Sequence, residues 1–408
     1  SIFFFILIFY QYKKESVNNY ISYKVFIEEI FKDLILSQNQ RIKKTKFENN
    51  LIIYDRNFAD DGYILYSGFS DIYSTATTSL FSIAENKIIF TWIPPVKLIN
   101  QQTPQHTERY NLKKNYRMQH PLLLPKGNLI FTSGEGPLVK IDKCNNIMWS
   151  IDRHFHHSIE FYDNDHVVTP INLKENYSQK YPVKNEGFAI INIKTGKIKE
   201  ETSLLKILEE NNFLGLLYGV GEFEFDRIHL NDVEVINKTD KHFFKGDIMF
   251  SSKHLSTVFI YRPNSRKIIY YQTGPWLNQH DIDYLGNGEF TIFDNNTFRY
   301  DLIESHDVFL NNNNKIYKWI PNKNIYFEIF KETMHSIKTP TQGLHQNLKN
   351  GDIYVEDTDN FIIHRMNNEK KRWSFINYLG NQKIGSIHWS RYYDTSLDVG
   401  WIRNSIKC

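Results

Sequence analysis

Five histidines stand at similar places in the sequence, each just before a run in which polar and apolar residues alternate. They are His120, His157, His229, His280 and His345. Imidazole can ligate a metal ion, transfer protons near neutral pH, or attack an electrophile as a nucleophile. The repeated placement indicates that the folded chain brings these histidines to one site, where any of the three chemistries could operate.

Metal binding has the weakest support of the three. His156, His157, His229 and His280 could surround an ion, but no carboxylate or cysteine stands at a spacing diagnostic of a metal site. We therefore predict no metal and no other cofactor. For any single histidine the simpler alternative is a structural hydrogen bond at a strand end. That explanation suffices for the histidines outside the pattern, which are His106, His154, His166, His242, His254, His306, His335, His364 and His388.

The elements that would position the histidines are hairpins. After His280, alternating runs flank the turn Gly286-Asn287-Gly288, a combination typical of two antiparallel strands. Four short β-like runs joined by turns, seen first between Leu51 and Trp92, recur along the chain and are typical of a propeller blade. Six such units are present, at roughly 48–100, 118–150, 155–200, 222–272, 278–320 and 343–376.

These units predict an all-β fold, a six-bladed β-propeller with a short N-terminal helical segment. Residues 385–403 would close the ring by pairing with an early strand. The innermost strands of a propeller line a central channel, so residues at one end of those strands meet at its mouth. An insertion at Ser203–Glu210 is predicted to be a short helix with Ser203 as its N-cap.

The N-terminal residues differ from the rest of the chain. Ile2–Tyr10 are all apolar and Lys13-Lys14 follow, yet this run is shorter than the roughly 20 residues that a membrane-spanning helix requires. We interpret residues 1–12 as the remnant of a signal anchor or signal peptide, 13–46 as a helical stalk or linker, and 47–408 as the propeller. This organisation predicts a periplasmic or other extracytoplasmic protein, with the N-terminus as a candidate inner-membrane anchor.

The composition narrows the classes of function. The 49 basic and 46 acidic residues nearly cancel, 49 − 46 = +3, which argues against a nucleic-acid surface. Aromatic residues make up 15% of the chain and suit a β-rich core. The two cysteines, Cys144 and Cys408, form no disulfide framework and no metal cluster, although one bridge between them is allowed.

Several phrases point to one family. The most specific is the His-Leu-Asn phrase at His229–Asn231, followed by the Ser-Ser phrase at Ser251-Ser252. The other phrases are Trp149 through Ile159, Asp226–Asp232, Gly246–Lys253, Gln279–Asp281 with Phe293–Asn295, and Leu344–Asp352. On these phrases, residues from about 118 to 376 resemble the bacterial arylsulfotransferases, the aryl-sulfate sulfotransferase family, which has a six-bladed propeller.

The resemblance implies a reaction in which a sulfuryl group moves from a phenolic sulfate ester to another phenol, without a nucleotide sulfate donor. A histidine would carry the group covalently, and the motif places that nucleophile at His280. His229 and His157 would be the further catalytic histidines. The resemblance assigns substrate binding to Asn231, Lys253, His156 and His345. The expected partners are an aryl sulfate and a phenol.

One position departs from the family pattern, because Lys253 stands where the family has arginine. Lysine keeps the charge but lacks the planar, two-pronged grip of arginine on an oxyanion. Two other functions remain open. Asn192–Lys197 resembles a blade repeat of the quinoprotein-like dehydrogenases, although only once, and a propeller that only binds partners would not require the histidine pattern.

Overall fold

Short antiparallel strands are the main regular structure of the described residues. Its structure, a computed structural model, describes residues 41–105, 116–173, 183–219, 225–299, 307–311 and 313–403. The predicted signal remnant and the predicted stalk up to residue 40 lie outside the described residues. No helix of the described ranges is both long enough and apolar enough to cross a membrane.

The strands, in chain order, are β1 (Ile42–Lys44), β2 (Leu51–Ile53), β3 (Tyr63–Ser70), β4 (Thr75–Ser82), β5 (Lys87–Trp92), β6 (Gln119–Leu124), β7 (Asn128–Thr132), β8 (Gly136–Ile141), β9 (Ile147–Phe155), β10 (Glu160–Phe161), β11 (His166–Asn172), β12 (Glu186–Asn192), β13 (Ile198–Ser203), β14 (Leu230–Val235), β15 (Ile248–Ser252), β16 (Thr257–Arg262), β17 (Lys267–Thr273), β18 (Asp281–Gly286), β19 (Glu289–Asp294), β20 (Thr297–Arg299), β21 (Asp307–Phe309), β22 (Lys315–Ile320), β23 (Ile325–Ile329), β24 (Leu344–Asn347), β25 (Ile353–Asp357), β26 (Ile362–Met366), β27 (Lys371–Gly380), β28 (Lys383–Gly385) and β29 (Ile387–Tyr393).

The helices are short. They are α1 (Val96–Gln102), α2 (Leu204–Glu210), α3 (Leu214–Tyr218), α4 (Lys331–Met334) and α5 (Gly400–Arg403), with single 3-10 turns at Pro125–Gly127, Pro263–Ser265, Pro321–Lys323 and Thr358–Asn360. The predicted insertion helix is confirmed as α2. The Ser203 hydroxyl accepts a hydrogen bond from the backbone N–H of Lys206 and so caps it.

The strands group into four-stranded units, which we call sheets 1 to 6. We call the strand at the inner edge of each sheet its first strand. Written from the first strand outward, the sheets are β29-β3-β4-β5, β6-β7-β8-β9, β10-β11-β12-β13, β14-β15-β16-β17, β18-β19-β22-β23 and β24-β25-β26-β27. Sheets 2 and 3 are joined through the single pair Phe155–Ile171. The hairpin β20–β21 stands apart from all six.

Six apolar clusters lie between neighbouring sheets, and together they connect sheet 1 to sheet 2 and so on, through sheet 6 back to sheet 1. Strand β16 shows how one sheet serves two clusters. Phe259 packs in the cluster shared with sheet 3, while Ile260 faces the cluster shared with sheet 5. Successive side chains of a strand point to opposite faces, so such a middle strand must be apolar throughout. The arrangement is propeller-like.

The C-terminal end of the described chain joins the sheets as predicted, whereas the N-terminal end joins them differently. The C-terminal strand β29 pairs with β3, which confirms the predicted closure by residues 385–403. Strand β2, expected to open the first unit, instead pairs with β27 of sheet 6. Strand β1 pairs with β28, so residues 42–44 are strand within the segment predicted to be a stalk or linker. The β-rich part therefore begins before residue 47.

The first strands converge on the centre. Strand β29 contacts β6 and β24, and β18 contacts β14 and β24. Arg391 of β29 strengthens the contact between these first strands. Its guanidinium donates to both carboxylate oxygens of Glu160 at 2.8 and 3.1 Å, and to the carbonyl oxygens of Pro121 and Ile159. One side chain thus ties sheet 1 to sheets 2 and 3.

We expect Arg391→Ala to lower the free energy of unfolding by about 2–4 kcal/mol, because it leaves the Glu160 carboxylate unpaired at a largely buried place. Urea denaturation measures the loss. The matched control is Lys349→Ala, which removes an ion pair to Asp394 whose lysine is 89% exposed and should change stability by less than about 1 kcal/mol. Equal losses in the two variants would contradict a role of Arg391 in joining the sheets.

Stability should also depend on Asp294, at the end of β19. Burial raises its pKa to about 7, although the backbone N–H groups of Leu277 and Asn296 donate to it. An unfolded aspartate has a pKa of about 3.9, so between these two pH values only the folded state retains the proton. Stability contributed by this group is therefore present at pH 4 and lost as the pH rises to 7.

Asp294→Asn cannot titrate, so its urea midpoint should fall less than that of the parent protein between pH 5 and pH 8. The exposed Asp398→Asn serves as the control and should follow the parent. Parallel pH curves for all three proteins would show that Asp294 is not protonated in the folded state.

Candidate active site

A cavity of about 220 Å³ lies where the first strands of the six sheets meet. Its wall includes His120 of β6, His280 just before β18, and Trp389 of β29. Residues of other first strands extend the wall, among them Asn231 of β14, Asp281 of β18 and His345 of β24. The predicted convergence of strand-start residues is thus found in the structure.

The backbone turns these side chains inward in an unusual way. His120, His157, His229 and Trp389 have φ angles of 49°, 54°, 47° and 64°, in the left-handed region that residues other than glycine seldom adopt. The ladder is irregular at the same places, between Leu230 and Asp232 for example. Such strain persists only where the surrounding structure enforces it, and it is concentrated at functional sites.

His280 and His345 reach the centre differently. The left-handed residues before them are Asn278, with φ of 53°, and Gly343, with φ of 107°, each two positions earlier. The sequence pattern had indicated five equivalent histidines, but in the structure they are not strictly equivalent. His120, His157 and His229 occupy the left-handed position itself, and the other two follow it.

Four histidine rings form a cluster with His157 at its centre. The centroid of the His157 ring lies 5.6 Å from that of His280, 5.7 Å from that of His229 and 6.4 Å from that of His120. His156 lies behind it, with its Nδ1 atom 2.7 Å from the Nδ1 atom of His157. The structure thus brings together the three predicted catalytic histidines and His156.

His280 is 98% buried, and its backbone N–H donates to the carbonyl oxygen of Phe293 at 2.9 Å. Among the described residues, no side chain or backbone group hydrogen-bonds to its ring. Burial, with the nearby charges of Lys253 and His229, holds the pKa of His280 well below its usual value. The ring is therefore neutral at physiological pH, with a lone pair available for attack on an electrophile.

The indole of Trp389 forms an aromatic wall beside this histidine. Its centroid lies 5.0 Å from that of His280, and it stacks on His120 at 3.6 Å with an interplanar angle of 30°. Burial lowers the pKa of His120 well below its usual value, and its Nε2 atom is buried without a partner. Aromatic surface next to an unpaired ring nitrogen suits a ligand that carries both an aryl ring and a polar group.

His229 is oriented by a carboxylate. Its Nδ1 atom lies 2.5 Å from Oδ2 of Asp226. Although burial alone would raise it, the charges of Lys184 and His229 hold the pKa of Asp226 well below its usual value. An ionised carboxylate at Nδ1 keeps the proton there and leaves Nε2 to exchange a proton with a ligand, the arrangement found in catalytic Asp–His pairs.

A second layer of charge supports this pair. Lys184 lies 2.8 Å from Glu186 and 3.5 Å from Asp226, and Glu186 accepts the backbone N–H of Leu230 at 2.9 Å. The same carboxylate is 3.7 Å from Nε2 of His156. Burial lowers the pKa of His156 to about 3, so this ring is neutral and acts as a polar spacer rather than a charge.

The prediction that Lys253 binds sulfate requires its ammonium to extend freely into the cavity. The ammonium does not do so. It forms a 2.7 Å ion pair with Asp307, and both side chains are almost fully buried. Asp307 begins strand β21 of the detached hairpin, far along the chain, so this pairing could not be predicted from the sequence. The lysine still acts on His280 through its charge, but its donors are directed at the aspartate.

His345 is likewise committed to the protein. Its Nδ1 atom is 2.5 Å from Asp281, its Nε2 atom is 2.7 Å from the hydroxyl of Thr291, and its side chain is fully buried. Against the effect of burial, Asp283 and Asp281 raise its pKa. Both ring nitrogens already have partners within the protein, so neither is free for the predicted contact with substrate.

Asn231 lines the cavity as predicted, but its amide is only partly available. Nδ2 donates to the carbonyl oxygen of Gln279 at 3.2 Å, and Oδ1 is buried without a partner. Trp389 and the partner role of Asp226 were missed. Asp226 stands three residues before His229, a spacing that could have indicated the pair, whereas Trp389 follows no histidine pattern and reaches the site only through ring closure.

Two groups in the described part of the chain have spacings that could hold a metal ion, although the sequence predicted none. One is Asp226 with His229 and His254, and the other is Asp232 with Glu234 and Asp281. The first is engaged in hydrogen bonds that orient His229 and place Nδ1 of His254 against the carbonyl oxygen of Asp226. The second consists of oxygen ligands only.

Comparisons with solved structures return distant similarities. A protein of unknown function from Bacteroides caccae is 12% identical over 81% of this chain and 98% of its own, with a TM-score of 0.46. The C-terminal WD40 domain of Sif2 is 9% identical over 80% and 84%, with a TM-score of 0.40. A catalytically inactive virginiamycin B lyase from Staphylococcus aureus is 12% identical over 69% and 71%, with a TM-score of 0.35.

The TM-scores are all below 0.5, so these similarities identify no function. The chain matches none of the curated proteins compared with it. A family model gives the decisive comparison, since the arylsulfotransferase (ASST) model matches residues 120–377 and so covers the strands that carry His120 through His345. The chain therefore belongs to the arylsulfotransferase family.

Proposed function

We propose that this protein is a six-bladed propeller enzyme that transfers a sulfuryl group from a phenolic sulfate ester to a phenol, with His280 as the covalent carrier. The observation that carries the proposal is the neutral, buried ring of His280, which has no hydrogen bond among the described residues and lies beside Trp389 and the other histidines. The six sheets and their six interleaved clusters support the blade count.

In the first half of the reaction, a ring nitrogen of His280 attacks the sulfur atom and the bond from sulfur to the phenolic oxygen breaks. The departing oxygen keeps the electron pair and takes a proton from Nε2 of protonated His229, whose positive charge Asp226 stabilises. In the second half, neutral His229 takes the proton of the acceptor phenol. The phenol oxygen then attacks sulfur, the sulfur–nitrogen bond breaks, and both histidines return to their starting states.

Sulfuryl transfer depends chiefly on positioning and on stabilising the charge of the sulfate oxygens. Because Lys253 is paired with Asp307, we take the N–H groups of His157 and His120 as donors to the sulfate oxygens, and both rings are neutral because burial lowers their pKa values. We therefore assign the grip on sulfate to these histidines and the grip on the aryl ring to Trp389.

We propose that the protein is exported, as the apolar N-terminus suggests. Cys144 is disulfide-bonded, and disulfides persist mainly in oxidising compartments. The only other cysteine of the sequence, Cys408, lies outside the described residues.

The first test is His280→Ala with p-nitrophenyl sulfate as donor and phenol as acceptor. Nitrophenol release should fall by more than about 1,000-fold, because loss of a nucleophile removes the covalent route. His335→Ala, which removes an exposed histidine, should retain the parent rate. Without acceptor, the parent protein should release a burst of nitrophenol stoichiometric with protein.

Equal release from the parent and from His280→Ala would show that the nucleophile is another residue. No release from the parent with any of several aryl sulfates would favour a propeller that only binds its partners. A bound quinone chromophore in the purified protein would point instead to the dehydrogenase alternative.

Asp226→Asn tests the orientation of His229. The neutral amide cannot stabilise the positive charge of a protonated imidazole as the carboxylate does. The kcat should therefore fall by about 100- to 10,000-fold, with a smaller change in KM. The loss should be greater for phenyl sulfate than for p-nitrophenyl sulfate, since nitrophenolate departs without full protonation. A purely structural defect would lower both rates equally.

The chain offers a matched control for this variant. Asp163 and His166 form a pair with the same three-residue spacing, at 2.8 Å, away from the cavity. Asp163→Asn should leave both rates unchanged.

A further inference from the structure

The channel is strongly acidic beyond the histidines. Glu160, Asp232, Glu234, Asp281 and Asp283 lie on three neighbouring first strands, and all line the same cavity. Asp232, Glu234 and Asp281 each offer one oxygen within 4.8 Å of the others. Five carboxylates in one buried space are more than the sulfuryl transfer uses.

The positive groups of the channel do not balance these charges. Arg391 is engaged with Glu160. His345 lies against Asp281 and is 3.6 Å from Asp283, which also accepts from Asn347. Each of these two cations thus already has a carboxylate partner.

Two carboxylates are left without a cation. Asp232 accepts a backbone N–H from Ile282 at 3.2 Å, and Glu234 has no hydrogen bond or ion pair within the described residues. The described residues thus form no ion pair with either of these two side chains.

The same cavity offers a neutral ligand atom. Asn231 is 99% buried and lines the same cavity, and its Oδ1 atom has no hydrogen-bond partner. A buried amide oxygen without a donor is rare unless something else satisfies it. Together with the three carboxylates it makes a set of oxygen atoms only, which is the set that hard divalent cations select.

We propose that Asp232, Glu234 and Asp281, with the amide oxygen of Asn231, bind a hard divalent cation, Ca²⁺ or Mg²⁺, in the central channel. The ligands come from β14 and β18, so the ion joins sheets 4 and 5 through the two strands that begin directly after His229 and His280. It fixes the spacing of the two strands that carry the proton-transfer histidine and the nucleophile. The inference does not depend on the sulfotransferase assignment.

The choice between the two ions follows from the ligands. Ca²⁺ accepts six to eight oxygen atoms with flexible geometry, whereas Mg²⁺ requires a near-regular octahedron and retains several waters. Carboxylates from two strands and one amide are an irregular set, which favours Ca²⁺. The test includes both ions.

The experiment uses the full chain after removal of metal with a chelator, in the absence of any substrate. Titration with Ca²⁺ should raise the thermal midpoint in a saturable manner, and calorimetry should show one ion per chain. Mg²⁺ should act more weakly. Glu234→Gln should raise the Kd for Ca²⁺ at least about tenfold, because charge count sets affinity in such sites.

Glu234→Gln should also be more stable than the chelated parent protein, since it removes an unpaired carboxylate from the channel. A variant that fails to fold is therefore not expected, and Asp232→Asn supplies a second test with the same outcome. The matched control, Glu369→Gln, replaces an exposed glutamate and should keep the parent affinity.

Two results would overturn the inference. One is a chelated parent protein that binds no Ca²⁺ or Mg²⁺ and shows no change in its thermal midpoint. The other is Ca²⁺ binding with equal affinity in Glu234→Gln, Asp232→Asn and the parent, which would place the ion elsewhere. Because neither measurement involves an aryl sulfate, both are independent of the outcome for His280.

Discussion

Pairing of β29 with β3 is the interaction on which the centre of this molecule depends. It places the last strand of the described chain as the first strand of sheet 1, next to residues more than three hundred positions earlier. The same strand carries Trp389 into the site and Arg391 onto Glu160. Closure of the ring and construction of the site are therefore a single event, since without β29 the cavity would lack one side.

The sheets position the histidines by burial and by backbone strain together. Close contact of six first strands removes water from the rings, and this keeps His157 and His280 neutral by lowering their pKa values. The left-handed conformation at His120, His157 and His229 aims the rings at one another. Asp226 differs, because Lys184 and His229 hold its pKa low and keep it ionised beside the ring of His229. The proposed nucleophile, His280, and the proposed proton carrier, His229, thus both lie in ring contact with His157.

The strand pattern and the histidine placement could be predicted because both are local. Alternation and turn residues define hairpins within a few positions, and a repeat brings the same position of each hairpin to the same end of the fold. On that basis His157, His229 and His280 were predicted to meet, and they do. The cap at Ser203 was equally local. The family phrases lie on the same strands, which is why they pointed to the correct family.

The contacts that the sequence did not predict involve partners that are distant in sequence. Lys253 is predicted to hold sulfate, and in the structure its ammonium pairs with Asp307, 54 residues away. His345 was predicted to contact substrate, but Asp281 and Thr291 occupy both its nitrogens from across a sheet boundary. Strand β2 was placed in the first unit, whereas its edge pairs with β27 near the other end of the chain.

The sequence by itself determined the β-rich class, the succession of four-stranded units and the identity of the histidines, because side-chain period and turn chemistry act over short distances. Only the tertiary structure decided which charged groups form ion pairs, which ring stays neutral and which aromatic side chain completes the wall of the site. These properties depend on burial and on contacts across the closed ring, and both arise only when strands from opposite ends of the chain pack together.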